Sequence, residues 1–74
     1  MADIELKSDV SGRVWQIPKS AGDSVEAEEA VIIIESMKME IPVAPEQSGT
    51  VVKVLVAEGD EVEEDQTVAI FSPD

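Results

Sequence analysis

The sequence is one pattern written twice. Sliding the 74-residue chain along itself by 37 positions, without a gap, lays Ser11-Gly12 on Ser48-Gly49, Val14 on Val51, and Gly22-Asp23 on Gly59-Asp60. Val25-Glu26 then falls on Val62-Glu63, Val31 on Val68 and Ile33 on Ile70. Conservative matches extend outward, with Ile4 on Ile41, Leu6 on Val43, Ile17 on Val54 and Ile34 on Phe71. A fold that honours this pattern has two equivalent halves, residues 1–37 and 38–74, within one domain of residues 1–74. They meet at Met37-Lys38. At this length the core is marginal and leaves no room for a separate substrate cleft.

The residues available for that core decide the fold class. Eleven valines and seven isoleucines outnumber the two aromatics, Trp15 and Phe71. Branching at Cβ stiffens χ1 and suits a pleated surface. Residues 3–7 alternate polar and apolar with the period of a half-buried strand. A second strand is expected through Val14, Trp15 and Ile17, ending at Pro18, which has no N–H to donate to a ladder. Residues 19–23 read as a turn, and Val25 as a short strand. The run Val31-Ile32-Ile33-Ile34 needs apolar cover on both faces, which a strand inside a closed or sandwiched sheet receives. Residues 27–40 are also rich in helix formers, but the equivalent stretch at 67–71 is short and β-rich, so both copies are read as strands. Residues 39–43, 51–56, 62 and 68–71 complete four strands per half. The expectation is an all-β flattened barrel of two four-stranded antiparallel sheets with pseudo-twofold symmetry, its chain ends opposite the midpoint turn. Gly12, Gly22, Gly49 and Gly59 recur at equivalent places and are assigned to turns. Trp15, whose counterpart is Val52, is expected to pack half-exposed.

Charge and chemistry narrow the function. With neither cysteine nor histidine, the chain lacks disulfides, thiolate nucleophiles, imidazole acid–base catalysis and the common zinc ligands. Seventeen acidic against five basic residues give a net charge of -12, which repels nucleic acid and anionic membrane surfaces and suits basic partners. The acidic stretch 60–65 lacks the order of a calcium-binding loop and reads as a solvated face. No apolar run has the length of a membrane span, and the N-terminus lacks a leader pattern, so the expected location is cytoplasmic. The starting Met1 and the whole repeat make a natural short protein the expected context.

The seam breaks a local rule. If the flanking strands pair as a hairpin, the reversal falls on Met37-Lys38, where a two-residue turn favours Asn-Gly or Asp-Gly because both positions need positive φ. Such a turn costs on the order of 1 kcal/mol or more, and departures of this kind cluster at functional positions. Lys38 is therefore the candidate site residue, with Met37 and Met39 beside it.

Glu35-Ser36-Met37-Lys38-Met39 resembles the attachment motif of biotin carboxyl carrier proteins, in which Ala or Ser precedes Met-Lys-Met. The likeness covers the whole chain: the two Gly-Asp turns, Ala44-Pro45 and the strand start Ser48-Gly49-Thr50-Val51 are similar to the biotinyl/lipoyl attachment pattern. The resemblance implies a flattened barrel with the modified lysine on an exposed turn. It implies biotin joined covalently to Lys38 by a biotin protein ligase, and a non-catalytic carrier moving carboxyl groups between a biotin carboxylase and a carboxyltransferase. An acyl-CoA carboxylase of fatty acid biosynthesis is the expected type. A lysine amine is protonated at neutral pH, so the ligase has to supply the base and the activated acyl donor. Met37 and Met39 would be the apolar surface the ligase reads, or packing residues, and Glu35, Ser36 and Glu40 the flanking recognition groups. Residues 16–25 align with 53–62 without insertion, which implies a carrier lacking the thumb loop of some relatives. A lipoyl carrier, whose lysine is usually preceded by Asp and followed by Ala, and an unmodified interaction module are the alternatives.

Overall fold

A computed structural model describes residues 3–74. Met1 and Ala2, on which the short-protein expectation partly rested, lie outside the described residues. The described chain contains eight strands: β1 (Ile4–Lys7), β2 (Gly12–Gln16), β3 (Ser24–Val25), β4 (Ile32–Ser36), β5 (Met39–Val43), β6 (Gly49–Val54), β7 (Glu61–Val62) and β8 (Thr67–Pro73). They form two antiparallel four-stranded sheets, in the orders β1-β8-β6-β3 and β5-β4-β2-β7. The helix-forming composition of residues 27–40 is overridden, because Val31, Ile32 and Ile34 are wholly buried between the sheets.

The register shows the repeat as a physical twofold. Ile4 faces Phe71 as Ile41 faces Ile34, Val51 faces Phe71 as Val14 faces Ile34, and Gly49 faces Val25 as Gly12 faces Val62. The irregularity after Val14 recurs after Val51. The turns repeat too. An Asp23 carboxylate oxygen accepts from the Ser20 N–H at 2.8 Å, and Asp60 accepts from the Ala57 N–H at 2.9 Å. Gly22 and Gly59, at φ of 93° and 92°, take the left-handed conformation these turns require. Leu55 donates to the Val68 carbonyl at 2.9 Å, a bond that Pro18 at the equivalent position has no hydrogen to make.

Two of the four glycines are not turn residues, contrary to the sequence-based assignment. Gly12 and Gly49 begin β2 and β6, and positive φ is confined to Gly22 and Gly59 among the glycines. A Cβ on Gly12 would run into the Glu35 carbonyl oxygen, and one on Gly49 into the Ser72 carbonyl oxygen. Close approach of neighbouring strands selects glycine here, and the repeat alone does not reveal it.

The core is the buried inner face of both sheets, built from equivalent pairs: Val14 with Val51, Val25 with Val62, Val31 with Val68, and Ile34 with Phe71. Trp15 is 42% exposed and Val52 44%, as the half-buried expectation required. Gln66, just before β8, helps line a groove beside Met37, and β8 then runs away to pair Pro73 with Gly49. The C-terminal end therefore lies at the far end of the sandwich from the midpoint turn.

One turn differs between the halves in charge. The Glu29 Oε1 accepts from the Glu26 N–H at 2.9 Å, where the neutral Gln66 accepts from the Glu63 N–H at the same distance. The Glu26 N–H and then Lys19, whose Nζ is 3.2 Å from the Glu29 carboxylate, hold this carboxyl below its ordinary value of 4.5. A carboxyl lowered by folding adds stability above the unfolded value, and that contribution is lost as pH falls through the folded one. Glu29→Gln keeps the acceptor and removes the titration. It is expected to unfold less steeply with acid than the parent below about pH 4, read from urea midpoints against pH.

Candidate functional site

Chain geometry at the seam follows from β4 and β5. Ser36 pairs with Met39, which leaves Met37 and Lys38 as a two-residue hairpin turn. Their φ angles are 51° and 66°, the left-handed values such a turn demands of both central residues. Glu28 and Asp65, at φ of 65° and 69°, are the other non-glycine residues in this region among the described residues, and they are counterparts in the repeat. Met37→Asn is expected to relieve part of the strain, raising stability by about 1 kcal/mol and the thermal midpoint by about 4–8 °C, measured by calorimetry.

All three motif side chains face solvent. Met37 is 92% exposed and Met39 63%, so neither is a packing residue; Met39 shares the face of Ile41 and Val43 but lies at the end of β5, beyond the cover of the core. Lys38 is exposed at the apex. Among the described residues the ion pairs are Arg13 with Glu61 and Lys19 with Glu29, and the Lys38 amine takes part in neither. An amine in that setting can reach into the active site of another protein. Exposed thioethers beside it present a polarisable apolar surface of variable shape.

The flanking residues brace the turn. Ser36 Oγ donates to the Ser11 carbonyl at 2.9 Å, tying the base of the hairpin to the loop between β1 and β2. Glu35 and Glu40 stand directly opposite one another and both are exposed. Like charges in that position cost roughly 0.2–1 kcal/mol. Next across the same sheet, Arg13 faces Glu35 on one side and Glu61 on the other, with 3.9 Å between the Arg13 and Glu61 charged groups. The row Glu40, Glu35, Arg13, Glu61 thus runs across all four strands just below the turn. Sequence reasoning named Glu35, Ser36 and Glu40 but missed Ser11, Arg13 and Glu61. Strand register alone brings these together, and no linear motif contains them.

Among the described residues no three carboxylates are grouped to hold a metal ion, and no helix is long and apolar enough to cross a membrane. The β2–β3 connection has the same Gly-Asp turn as the β6–β7 connection and carries no inserted thumb.

Residues 5–71 match the family described as biotin-requiring enzyme, the biotin/lipoyl domain. The chain is 46% identical over 55 residues to the biotin/lipoyl attachment protein of Bacillus subtilis (strain 168), covering 74% of this chain and 75% of that one. It is 32% identical over 68 residues to the biotinylated protein TB7.3 homolog of Mycobacterium leprae (strain TN), covering 92% of this chain and 96% of the relative. In three dimensions it matches the crystal structure of Kluyveromyces lactis urea carboxylase with a TM-score of 0.91 and 42% identity, over 97% of this chain but only 6% of the enzyme. A symmetric strand sandwich with an exposed lysine at its midpoint turn, matched by the family over residues 5–71 and by these relatives over about three quarters of its length or more, belongs to the biotin/lipoyl attachment family.

Proposed function

We propose that Lys38 is the attachment point for covalent biotin and that the chain serves as the non-catalytic carboxyl carrier of a biotin-dependent carboxylase. Domains of this family carry a group and leave the chemistry to others. One observation supports the choice of Lys38 above the rest: its amine is exposed, outside any ion pair among the described residues, at the apex of a strained turn between two exposed methionines. Similarity to urea carboxylase and to a biotinylated protein supports biotin as the group and a carboxylase as the setting. The acyl-CoA type remains part of this proposal.

In this reading a biotin protein ligase recognises Met37, Met39 and the acidic base of the hairpin. The Lys38 amine gives up its proton in the ligase site and attacks an activated carboxyl carbon there; an amide bond forms and the activating group leaves. Acylation removes the lysine charge and lengthens a flexible side chain. Biotin, once attached, supplies the atom that takes up and releases a carboxyl group. The protein supplies tethering, which raises the local concentration of that group at a biotin carboxylase and then at a carboxyltransferase. Without a thumb, the arm is held by no dedicated loop of its own domain.

The purified chain is expected to gain one biotinyl group when incubated with biotin protein ligase, biotin and ATP, read by intact mass. Loading by a lipoate ligase with lipoate, at a rate above that with biotin, would make the chain a lipoyl carrier instead. No mass change with either would leave an unmodified interaction module.

A further inference from the structure

We propose that the outer edge of β1 is a docking edge for an extended, basic segment of a partner protein, which adds as a fifth strand in the groove between β1 and β5. The two strands are counterparts in the repeat and each ends its sheet on this side. Their edges differ in one atom that matters. In a two-residue hairpin the closing pair Ser36–Met39 is hydrogen-bonded, and bonding alternates from there. Ile34–Ile41 is thus bonded, whereas Glu35–Glu40 and Ile33–Pro42 are not, so the peptide groups of Glu40 and Pro42 point away from β4. Pro42 places a ring where the outward donor would be, the usual way to blunt an exposed edge.

Glu5 occupies the equivalent place on β1, opposite Ile70 as Pro42 is opposite Ile33. Its N–H and C=O therefore point outward from β8, and among the described residues no strand lies beyond them. One edge loses its outward donor at proline, while its twin keeps both donor and acceptor at the equivalent residue. The groove alongside has an apolar floor that includes Leu6, Val43 and Pro45. It is lined by Asp9, Glu28 and Glu46 against the single cation Lys7, with Glu5 beside them, its carboxylate accepting from the Thr67 hydroxyl on β8 at 2.7 Å. An incoming strand with apolar residues on one face and Lys or Arg on the other satisfies both features. A second copy of this chain does not, because it would bring a charge of -12 against a charge of -12. Residues 37–39 do not line this groove, so docking leaves the lysine turn free, and the inference does not depend on which group Lys38 carries.

The test is a titration of isotope-labelled protein with an end-blocked synthetic peptide of alternating Lys and Val, seven residues long, at 0.15 M salt, with an alternating Glu and Val peptide as control. The expected result is a saturable amide shift centred on residues 4–7, and at least a tenfold slowing of hydrogen exchange at the Glu5 amide, with the basic peptide alone. Glu5→Pro, which copies Pro42, is expected to weaken binding at least tenfold, whereas Glu5→Gln, which keeps the backbone donor, changes it less than threefold. The Glu5 exchange rate in the parent protein decides the matter even if the proline variant fails to fold. Absence of binding overturns the proposal, as do shifts spread equally over Glu61 and Glu63, undiminished binding by a folded Glu5→Pro variant, or concentration-dependent self-association through β1 without peptide.

Discussion

Lys38→Arg is expected to accept no biotin at all while keeping the fold. Arginine preserves the length, the positive charge and the backbone preferences at the apex, so the turn formed with Met37 should persist, as judged by an amide spectrum unchanged outside residues 36–40. What it lacks is a nitrogen that can lose its proton: guanidinium stays protonated in any ordinary protein site, and no nucleophile is generated. Intact mass after prolonged incubation with ligase, biotin and ATP should show only the unmodified chain. The position of the amine matters as well as its identity. In the exchanged pair Met37→Lys with Lys38→Met, the amine leaves the neighbouring position on the same turn and projects from a different Cα. A misplacement of about 1 Å at a reacting centre can cost about 10²-fold in rate, and a loss of at least that size is expected here. Efficient loading of the exchanged variant would mean that the ligase reads any exposed lysine at this end of the sandwich.

Phe71→Ala is expected to bring the domain close to unfolding. Phe71 is wholly buried and is the largest core side chain, facing Ile4 on one neighbouring strand and Val51 on the other. Its ring end also packs on Gly49, where an added Cβ would come within 2.7 Å of the Phe71 Cζ. Truncating a buried phenylalanine typically costs about 3–5 kcal/mol, because the lost contacts are compounded by a cavity that the surroundings fill only partly. A chain of 74 residues has roughly 4–11 kcal/mol in total. The thermal midpoint should fall by at least about 12 °C, and biotin loading at physiological temperature should decline with the folded fraction. Ile34→Val at the equivalent core position is the control, expected to cost about 0.5–1.5 kcal/mol.

These two variants separate what the two halves of the motif contribute. Lys38 can be changed without disturbing the sandwich, because its side chain makes no ion pair among the described residues. Phe71 cannot, although it lies in the other sheet and far along the chain from the lysine. The scaffold holds the turn at its apex; the turn does little for the scaffold. Met37→Asn sharpens the point, since it is expected to strengthen the fold while removing part of the surface offered to the ligase.

The repeat of 37 residues, the β-branched core and the motif at the seam were sufficient to read the all-β class, all eight strands to within two residues or so at most ends, and Lys38 as the candidate site. They sufficed because strand periodicity and turn chemistry are local, and because an internal repeat obliges equivalent residues to adopt equivalent surroundings. Tertiary structure decided what depends on which strands become neighbours. It moved Gly12 and Gly49 from turns to close strand contacts, left both Met37 and Met39 exposed, and set Arg13 between Glu35 and Glu61. It also left Glu5 with an outward donor at the edge position where Pro42 removes one from its twin. Pairing across sheets joins residues tens of positions apart, and the free energy that selects one register comes from burying a whole face at once, a quantity that no short stretch of the chain contains.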